Sequence, residues 1–581
     1  MAETFSPTPA STLRDAVSTC HPDDTVRSYL ERGWWQPETI PEVFRQRVAE
    51  TPDAPALTDP ANLADLTGAQ PRTLTRRELD AHITDIAGVL LANGIRQGST
   101  VAIQLPNSIA LTATYLALWR LGAVATPMPV SYRRHELSGI VAATNAEAII
   151  TAGRVGDRAL AAEALAVAGD ERTVFVFDSH DVGSALGGRE SVVPIGSEPL
   201  DEVRDQLRDY ESQLGFSVND RVTICWTSGT EAAPKGVPRC HGDWLAVAGG
   251  VQDGLGVTPE SVVLNPFPMV NMAGFAGSFL PWLLGGGHLV QHQPLDLGVF
   301  FRQIAEHRVT HTAMPPALLT MLLQNDALRA RADLSSLRTV GSGGAPLPPS
   351  VVRKWQEELG IQVINFFGSN EGVSLLGAPA DIPDPTLRAQ HLPYYGAAGV
   401  RWSTRLAERT SVKLVDVTTG ETVGENGGRG ELRLRGPAVF GGYLPGTAAT
   451  EPFDEDGYLC SGDVFELTED GKYLRFVDRV KEIIIRGGMN IAPAEIEGLL
   501  MDHPAVADVA VVGYPDEVLG EKCCAIVVPA VGMTVTLDDL VAHLKARDVA
   551  SFKLPERLEI VETLPRNPVG KLLRRELRAQ L

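Results

Sequence analysis

The stretch Thr227-Ser228-Gly229-Thr230-Glu231-Ala232-Ala233-Pro234-Lys235-Gly236-Val237 combines hydroxyls, glycines and one lysine. It follows the apolar, β-prone run Val222-Thr223-Ile224-Cys225-Trp226, so a strand is expected to run straight into this loop. Such a loop can bring backbone N–H groups, hydroxyls and an ammonium against an anion, because glycine has no Cβ to hold phosphate oxygens away. The chemistry is that of a phosphate cradle. The Gly-x4-Gly-Lys-Ser/Thr spacing of P-loop NTPases is absent, so the γ-phosphate chemistry of kinases and GTPases is not indicated.

Other groups recur at strand ends further along. Leu337-Arg338-Thr339-Val340-Gly341-Ser342-Gly343-Gly344-Ala345-Pro346 reads as a strand closing in glycines, and Val363-Ile364-Asn365-Phe366-Phe367-Gly368-Ser369-Asn370-Glu371-Gly372 does the same. Backbone poor in Cβ atoms at two such ends could sandwich a planar ring, and Glu371 adds a carboxylate. In open α/β sheets ligands collect at the carboxyl ends of strands, where these loops fall. Further along the chain stands Ser461-Gly462-Asp463.

The elements that must hold them follow a β-α-β rhythm. A helix is expected from Ile40, with Pro41 in its first turn; another follows the N-cap Thr75 and stops at Asn93-Gly94. A strand over Thr100 to Leu105, a helix from about Ser108 to Leu121 and a strand ending at Pro127 come next. Strands separated by helices of this length imply covered, mostly parallel sheets. Residues 410–477 alternate short strands and turns, as a small β module would. After Asp478-Arg479-Val480-Lys481 a separate α+β pattern begins. The expected fold is α/β: a lead-in over 1–35, a large domain of stacked, mostly parallel sheets with the β module over 36–477, a hinge at 478–481, and a small mobile α+β lid over 482–581.

Composition sets the class. With 581 residues, 44% of them hydrophobic and 21% charged, the chain has room for several cores. A net charge of −21 without a long basic run argues against nucleic acid and anionic membranes as partners. The uncharged segment from Ser261 to Leu295 is interrupted by Pro266, Pro268 and Pro281, so no membrane span is expected there. Six scattered cysteines suggest neither a disulfide framework nor a Cys-x-x-Cys metal site. Residues 1–20 lack the basic-then-apolar pattern of a signal peptide, and the expected location is the cytoplasm.

Together and in this order, the motifs resemble the AMP-forming adenylate-forming superfamily: acyl- and aryl-CoA synthetases, adenylation domains of peptide synthetases, and firefly luciferase. The resemblance runs from about residue 35 to the end. It implies that Thr227, Ser228, Gly229, Thr230 and Lys235 bind the phosphates of ATP, and that Gly343, Gly344, Ala345 and Pro346 lie along adenine and the acyl channel. Asn365, Phe366, Phe367, Gly368 and Asn370 are similar to the adenine and ribose contacts, and Glu371 to the Mg²⁺ ligand. Asp463 resembles the aspartate that binds the ribose hydroxyls, with Arg479 beside it. Lys571 looks like the catalytic lysine, Lys481 the hinge, and the turn at Gly487-Gly488 the part presented to pantetheine.

The resemblance therefore implies an ATP- and Mg²⁺-dependent ligase that joins a small carboxylic acid to coenzyme A through an acyl-adenylate. The expected acid pocket is mainly apolar and formed by Asn271, Met272, Phe275, Gly343, Phe366 and Val373. A stand-alone enzyme loading the phosphopantetheine of a carrier protein fits the same motifs and stays open, as does a homodimer. The chain departs from the family at Glu231-Ala232, where Thr-Gly is common, at Asn370, where Thr is usual, and at Asn271, often His. Gly33-Trp34-Trp35, Pro238-Arg239-Cys240-His241 and Gly513 to Lys522 are most similar to aryl-acid ligases and to alicyclic or aromatic acid ligases.

Overall fold

The computed structural model describes residues 18–178, 191–196, 201–227, 234–329, 332–424, 426–448, 450–486, 489–516, 518–547, 549, 551–566 and 572–581. The local signals are realised. Thr75 starts the helix Arg76–Ala92: its hydroxyl accepts the Glu78 N–H at 3.3 Å while the Glu78 carboxylate accepts the Thr75 N–H at 2.8 Å. Each pairing satisfies a donor that the first helical turn would leave open. Ser108 caps the helix Ile109–Arg120 in a similar way, accepting from Leu111 N at 3.3 Å.

Seven strands form one sheet in the order Val192–Ile195, Thr173–Phe177, Ala148–Ala152, Thr100–Gln104, Val124–Pro127, Arg221–Trp226, Gly236–Cys240. Neighbours are parallel until the last pair, an antiparallel hairpin. A second, eight-stranded sheet runs Ser374–Gly377, Gln362–Gly368, Thr339–Gly343, His311–Ala313, Val262–Asn265, His288–Gln291, Pro55–Thr58, Thr73–Thr75. It is parallel inside and antiparallel at both edges. The helix Ile109–Arg120 is buried along its length except at Ala110, as a helix apolar on all sides must be. Its Tyr115 and Trp119 stack at 5.6 Å and meet Phe275 and Phe279 in one aromatic cluster. Burying each such ring stabilises the fold by roughly 1.5–3 kcal/mol.

A third sheet is antiparallel: His391–Pro393, Tyr473–Arg479, Leu459–Leu467, Arg429–Arg435, Ser411–Val415. In Arg429–Arg435 the residues Gly430, Leu432 and Leu434 are buried and those between them are not, the alternation of a sheet packed on one face. The β module expected over 410–477 thus recruits an earlier strand, and its last strand carries Asp478 and Arg479 of the expected hinge.

The chain after Lys481 forms its own sheet. Gly520–Pro529 pairs antiparallel with Val506–Asp516 and Ile484–Arg486, and parallel with Arg557–Ile560; Met489–Ile491 closes the other edge. Adjacent Cys523 and Cys524 project to opposite faces, into separate apolar clusters. The helices Pro493–Leu500 and Leu537–Lys545 cover one face, and Leu577 of the short helix Arg574–Arg578 packs on the other. Among the described residues no helix is long and apolar enough to cross a membrane.

Candidate active site

The expected phosphate loop is the tip of the hairpin Arg221–Trp226/Gly236–Cys240. Trp226 pairs with Gly236, and one residue further the ladder is closed by side chain and backbone together. Thr227 N donates to Lys235 O at 3.1 Å, and Lys235 N donates to Thr227 Oγ1 at 3.1 Å. Ser228, Gly229, Thr230, Glu231 and Ala232 lie outside the described residues. Lys235 leaves the neck with its Nζ 4.6 Å from the ring centre of Tyr443. The Tyr443 hydroxyl donates to Glu371 Oε1 at 2.9 Å. Burial, then the Glu371 charge, pushes the phenol well above its ordinary pKa, so it stays a donor. An ammonium, an aromatic face and a carboxylate are thereby joined in one chain of contacts. Tyr443 was not among the sequence candidates. Its local signal is an aromatic residue directly after Gly441-Gly442 and ahead of Leu444-Pro445-Gly446.

Asn370 explains how this corner is held. Its Oδ1 accepts the Met272 N–H at 2.8 Å, and its Nδ2 donates to the Trp226 carbonyl at 3.1 Å. Its own carbonyl accepts from the wholly buried Arg239 at 2.9 Å, and a second Arg239 nitrogen reaches Ala438 O at 2.8 Å. A carboxamide offers an acceptor and a donor on separate atoms. A threonine hydroxyl places both on one atom, so the departure at Asn370 has a structural use: it ties the strand end at Trp226, where the expected phosphate loop begins, to the segment at Met272. Gly372 follows with φ +109°, and a Cβ there would lie 2.1 Å from the Ala438 carbonyl. Only glycine lets the chain pass between Glu371 and that carbonyl.

The two strand ends that could flank a ring are adjacent parallel neighbours, Gly343 opposite Phe366. A Cβ on Gly343 would lie 2.3 Å from Phe366 O, which accounts for the glycine. Gly344, Ala345 and Pro346 form an exposed turn beside half-buried Phe366 and exposed Gly368. Phe367 instead packs edge-on against Phe465 at 5.0 Å, fastening this strand to the antiparallel sheet. The Asn365 amide donates to Arg388 O at 3.0 Å and Ala389 O at 3.2 Å, which leaves its Oδ1 as the atom open to a ligand.

Asp463 is buried opposite Arg479 in the antiparallel sheet, with Arg479 Nε 3.3 Å from its Oδ1. Lys481 is exposed in the turn after it, where Glu482 N and Ile483 N both donate to Arg479 O. Asp478 crosses that turn: its Oδ2 accepts the Ala494 N–H at 2.8 Å, at the N-terminus of Pro493–Leu500. Burial holds its carboxyl above the ordinary range. Gly487, Gly488 and Lys571 lie outside the described residues.

The expected acid pocket needs two corrections. Phe275 is 0% exposed, its ring 5.0 Å from both Tyr115 and Trp244, so it belongs to the core between the helices and faces no open space. Val373 is 1% exposed and packed in the same core. Asn271 and Met272 are half-buried. The Asn271 Oδ1 caps the next turn by accepting from Ala273 N at 3.1 Å, which leaves its amide nitrogen for any polar contact with an acid.

The family model for AMP-binding enzymes matches residues 44–444, and the model for their C-terminal domain matches 495–571. The chain belongs to the AMP-binding enzyme family. Among curated relatives of this family, pyochelin synthase PchD of Pseudomonas aeruginosa is 33% identical over 100% of this chain and 98% of its own. Feruloyl-CoA synthase of Amycolatopsis sp. is 32% identical over 87% of this chain and 93% of its own. Among solved structures, ATP-bound MatB from Rhodopseudomonas palustris superimposes with a TM-score of 0.73 at 25% identity, covering 94% of this chain and 99% of that one. The family forms acyl-adenylates from ATP, and its relatives here include acid–thiol ligases.

Proposed function

We propose that the protein is an AMP-forming ligase that activates a mainly apolar carboxylic acid, aryl, alicyclic or fatty, as its adenylate and transfers the acyl group to coenzyme A. The observation that carries this reading is the Lys235–Tyr443–Glu371 chain of contacts at the neck of the phosphate loop, braced by Asn370. A carboxylate that attacks the α-phosphate of ATP approaches a polyanion, so cationic and N–H groups must be in place before the reaction starts. Lys235 supplies one fixed cation. Glu371, whose hard carboxylate oxygens suit Mg²⁺, is the residue that would hold that ion, which neutralises triphosphate charge when bound.

In this scheme Gly343 to Pro346 and Phe366 flank adenine, Asp463 accepts the ribose hydroxyls with Arg479 holding its other side, and Asn271 and Met272 border the acid. Lys571 donates to the developing charge during adenylation. It must then withdraw so that a thiol can reach the acyl carbon, and the turn at Lys481 is where the C-terminal domain would pivot, bringing Gly487-Gly488 to the pantetheine. One lysine cannot occupy the thiol's path in both steps.

A second reading is loading of a carrier protein's phosphopantetheine. It is supported by the relative that aligns over the whole chain, lead-in included, and is named for pyochelin synthesis, whereas feruloyl-CoA synthase aligns over 87%. Mass spectrometry of reactions with ATP, Mg²⁺ and a panel of acids, with CoA or a phosphopantetheinylated carrier, separates the two. An acyl-CoA product supports the first reading; an acyl-adenylate that only a carrier protein discharges supports the second. No adenylate from any acid would overturn both.

A further inference from the structure

Beneath the site, the chain segment around Cys20 is laid on the sheet that carries the phosphate loop. Arg221 N donates to Ser18 O at 3.0 Å, Cys20 N donates to Asn219 O at 3.2 Å, and Arg221 pairs with Cys240 on its other side. This brings Cys20 beside Cys240: their Sγ atoms and an Asp243 carboxylate oxygen all lie within 4.8 Å of one another. Cys20 is half-buried and Cys240 wholly buried. A Cβ on Gly441 would lie 1.8 Å from the Cys20 carbonyl, so the cysteine is wedged between Cys240 and the glycine that precedes Tyr443 by two residues.

The charges around the pair separate two possible uses of these ligating atoms. Asp243 already accepts from His21 Nε2 at 2.7 Å and from Cys240 N at 3.0 Å, and Arg239 Nε stands 3.6 Å away with no exposed surface. Burial works against the Asp243 charge, yet His21 and Arg239 hold its carboxyl below the ordinary range. A buried guanidinium and a histidine pulled toward its cationic form outnumber the one Asp243 carboxylate, which opposes a divalent metal beside the two sulfurs. The hydrogen bond with Cys240 lowers the Cys20 thiol most, burial and the Asp243 charge oppose it, and the charges of His21 and Arg221 add to the lowering, so that the thiol ends below its ordinary value.

We propose that Cys20 and Cys240 are a redox pair that takes a low-molecular-weight disulfide as oxidant and closes into a reversible Cys20–Cys240 disulfide. The Cys20 thiolate attacks the external disulfide and releases one small thiolate. The Cys240 thiol then attacks Cys20 Sγ, and the second small thiol leaves with the Cys240 proton. Two protein thiols are oxidised and one small disulfide is reduced to two thiols. The link would staple the lead-in to the strand that begins directly after Lys235. Cys225, Cys460, Cys523 and Cys524 serve as internal controls, the last two on opposite faces of their strand.

The test is incubation of the reduced full chain with oxidised glutathione, followed by intact mass and a non-reducing peptide map. The expected result is loss of two hydrogen masses with no adduct retained, the peptide of Cys20 joined to that of Cys240, and a melting temperature raised by about 3 °C that dithiothreitol reverses. Cys240→Ser, whose hydroxyl can still cap the helix His241–Leu255, should hold a stable glutathione adduct on Cys20; Cys20→Ser should form no link. Retention of both thiols, or a link through another cysteine, overturns the proposal. So does stoichiometric Zn²⁺ binding that is lost in both variants and blocks oxidation.

Discussion

The Tyr443 hydroxyl donates a 2.9 Å hydrogen bond to Glu371 Oε1, while the face of the same ring supports the Lys235 ammonium. One side chain thus sets both the carboxylate and the cation of the proposed site. Tyr443→Phe keeps the ring and removes the donor to a charged group, an interaction worth about 1.5–3 kcal/mol. Adenylation, followed as pyrophosphate release, is expected to slow by at least about tenfold with a shifted Mg²⁺ dependence. An unchanged Mg²⁺ titration would remove Tyr443 from the site.

Asn370→Ala leaves the Met272 N–H and the Trp226 carbonyl without their partner. Each unmet group costs about 1–3 kcal/mol, so a lower unfolding midpoint and a raised KM for ATP are expected together. Asn370→Thr should fall between the two proteins, since one hydroxyl reaches only one of these sites. Calorimetry and ATP titration on the three proteins check this ordering.

Lys571→Ala should slow adenylation by about 10²–10³-fold, the usual cost of one donor to transition-state charge. Thioester formation from chemically prepared acyl-adenylate should be nearly unaffected, because that half-reaction does not use the lysine. Equal loss in both half-reactions would contradict the role proposed for it.

Much of this arrangement is written locally in the chain. The Thr75 and Ser108 caps and the strand before Thr227 each depend on neighbours within a few residues, whereas Gly343 and Gly372 are glycines because of the distant carbonyls of Phe366 and Ala438. The rest depends on partners far away in sequence. Tyr443 meets Glu371 across 72 residues and Asn370 meets Trp226 across 144, distances at which no periodicity or cap motif carries information. Phe275 shows the same limit: in the sequence an aromatic residue near a pocket segment cannot be told from a core ring, and only the packing of Tyr115 and Trp244 against it makes it one. The strand His391–Pro393, of three residues, is too short for a pattern and exists because Tyr473–Arg479 offers it a ladder.

Acid should destabilise the large domain through a buried imidazole. His241 Nδ1 accepts the Ile40 N–H at 3.2 Å, and burial lowers its pKa to about 3 from 6.5. The folded-state value is the depressed one, so unfolded chains bind the proton first as pH falls. The stability of the neutral ring is complete above pH 6.5 and is lost between 6.5 and about 3, by up to about 1.4 kcal/mol per pH unit. His82, His288 and His311, each lowered to about 4 by burial, act in the same direction. Denaturant midpoints measured across this range should fall less steeply in His241→Gln, whose side-chain oxygen can accept the same N–H.

The hairpin neck closes at Thr227 and Lys235, so every ladder bond of the Arg221–Trp226/Gly236–Cys240 pair is complete before residue 228 begins. A lineage that keeps Thr227 and Lys235 therefore keeps the closure of this hairpin, and with it the pairing of Trp226 with Gly236, whatever becomes of its activity. Folding and catalysis are then open to separate selection, so a descendant can change its chemistry and still accumulate in the cell.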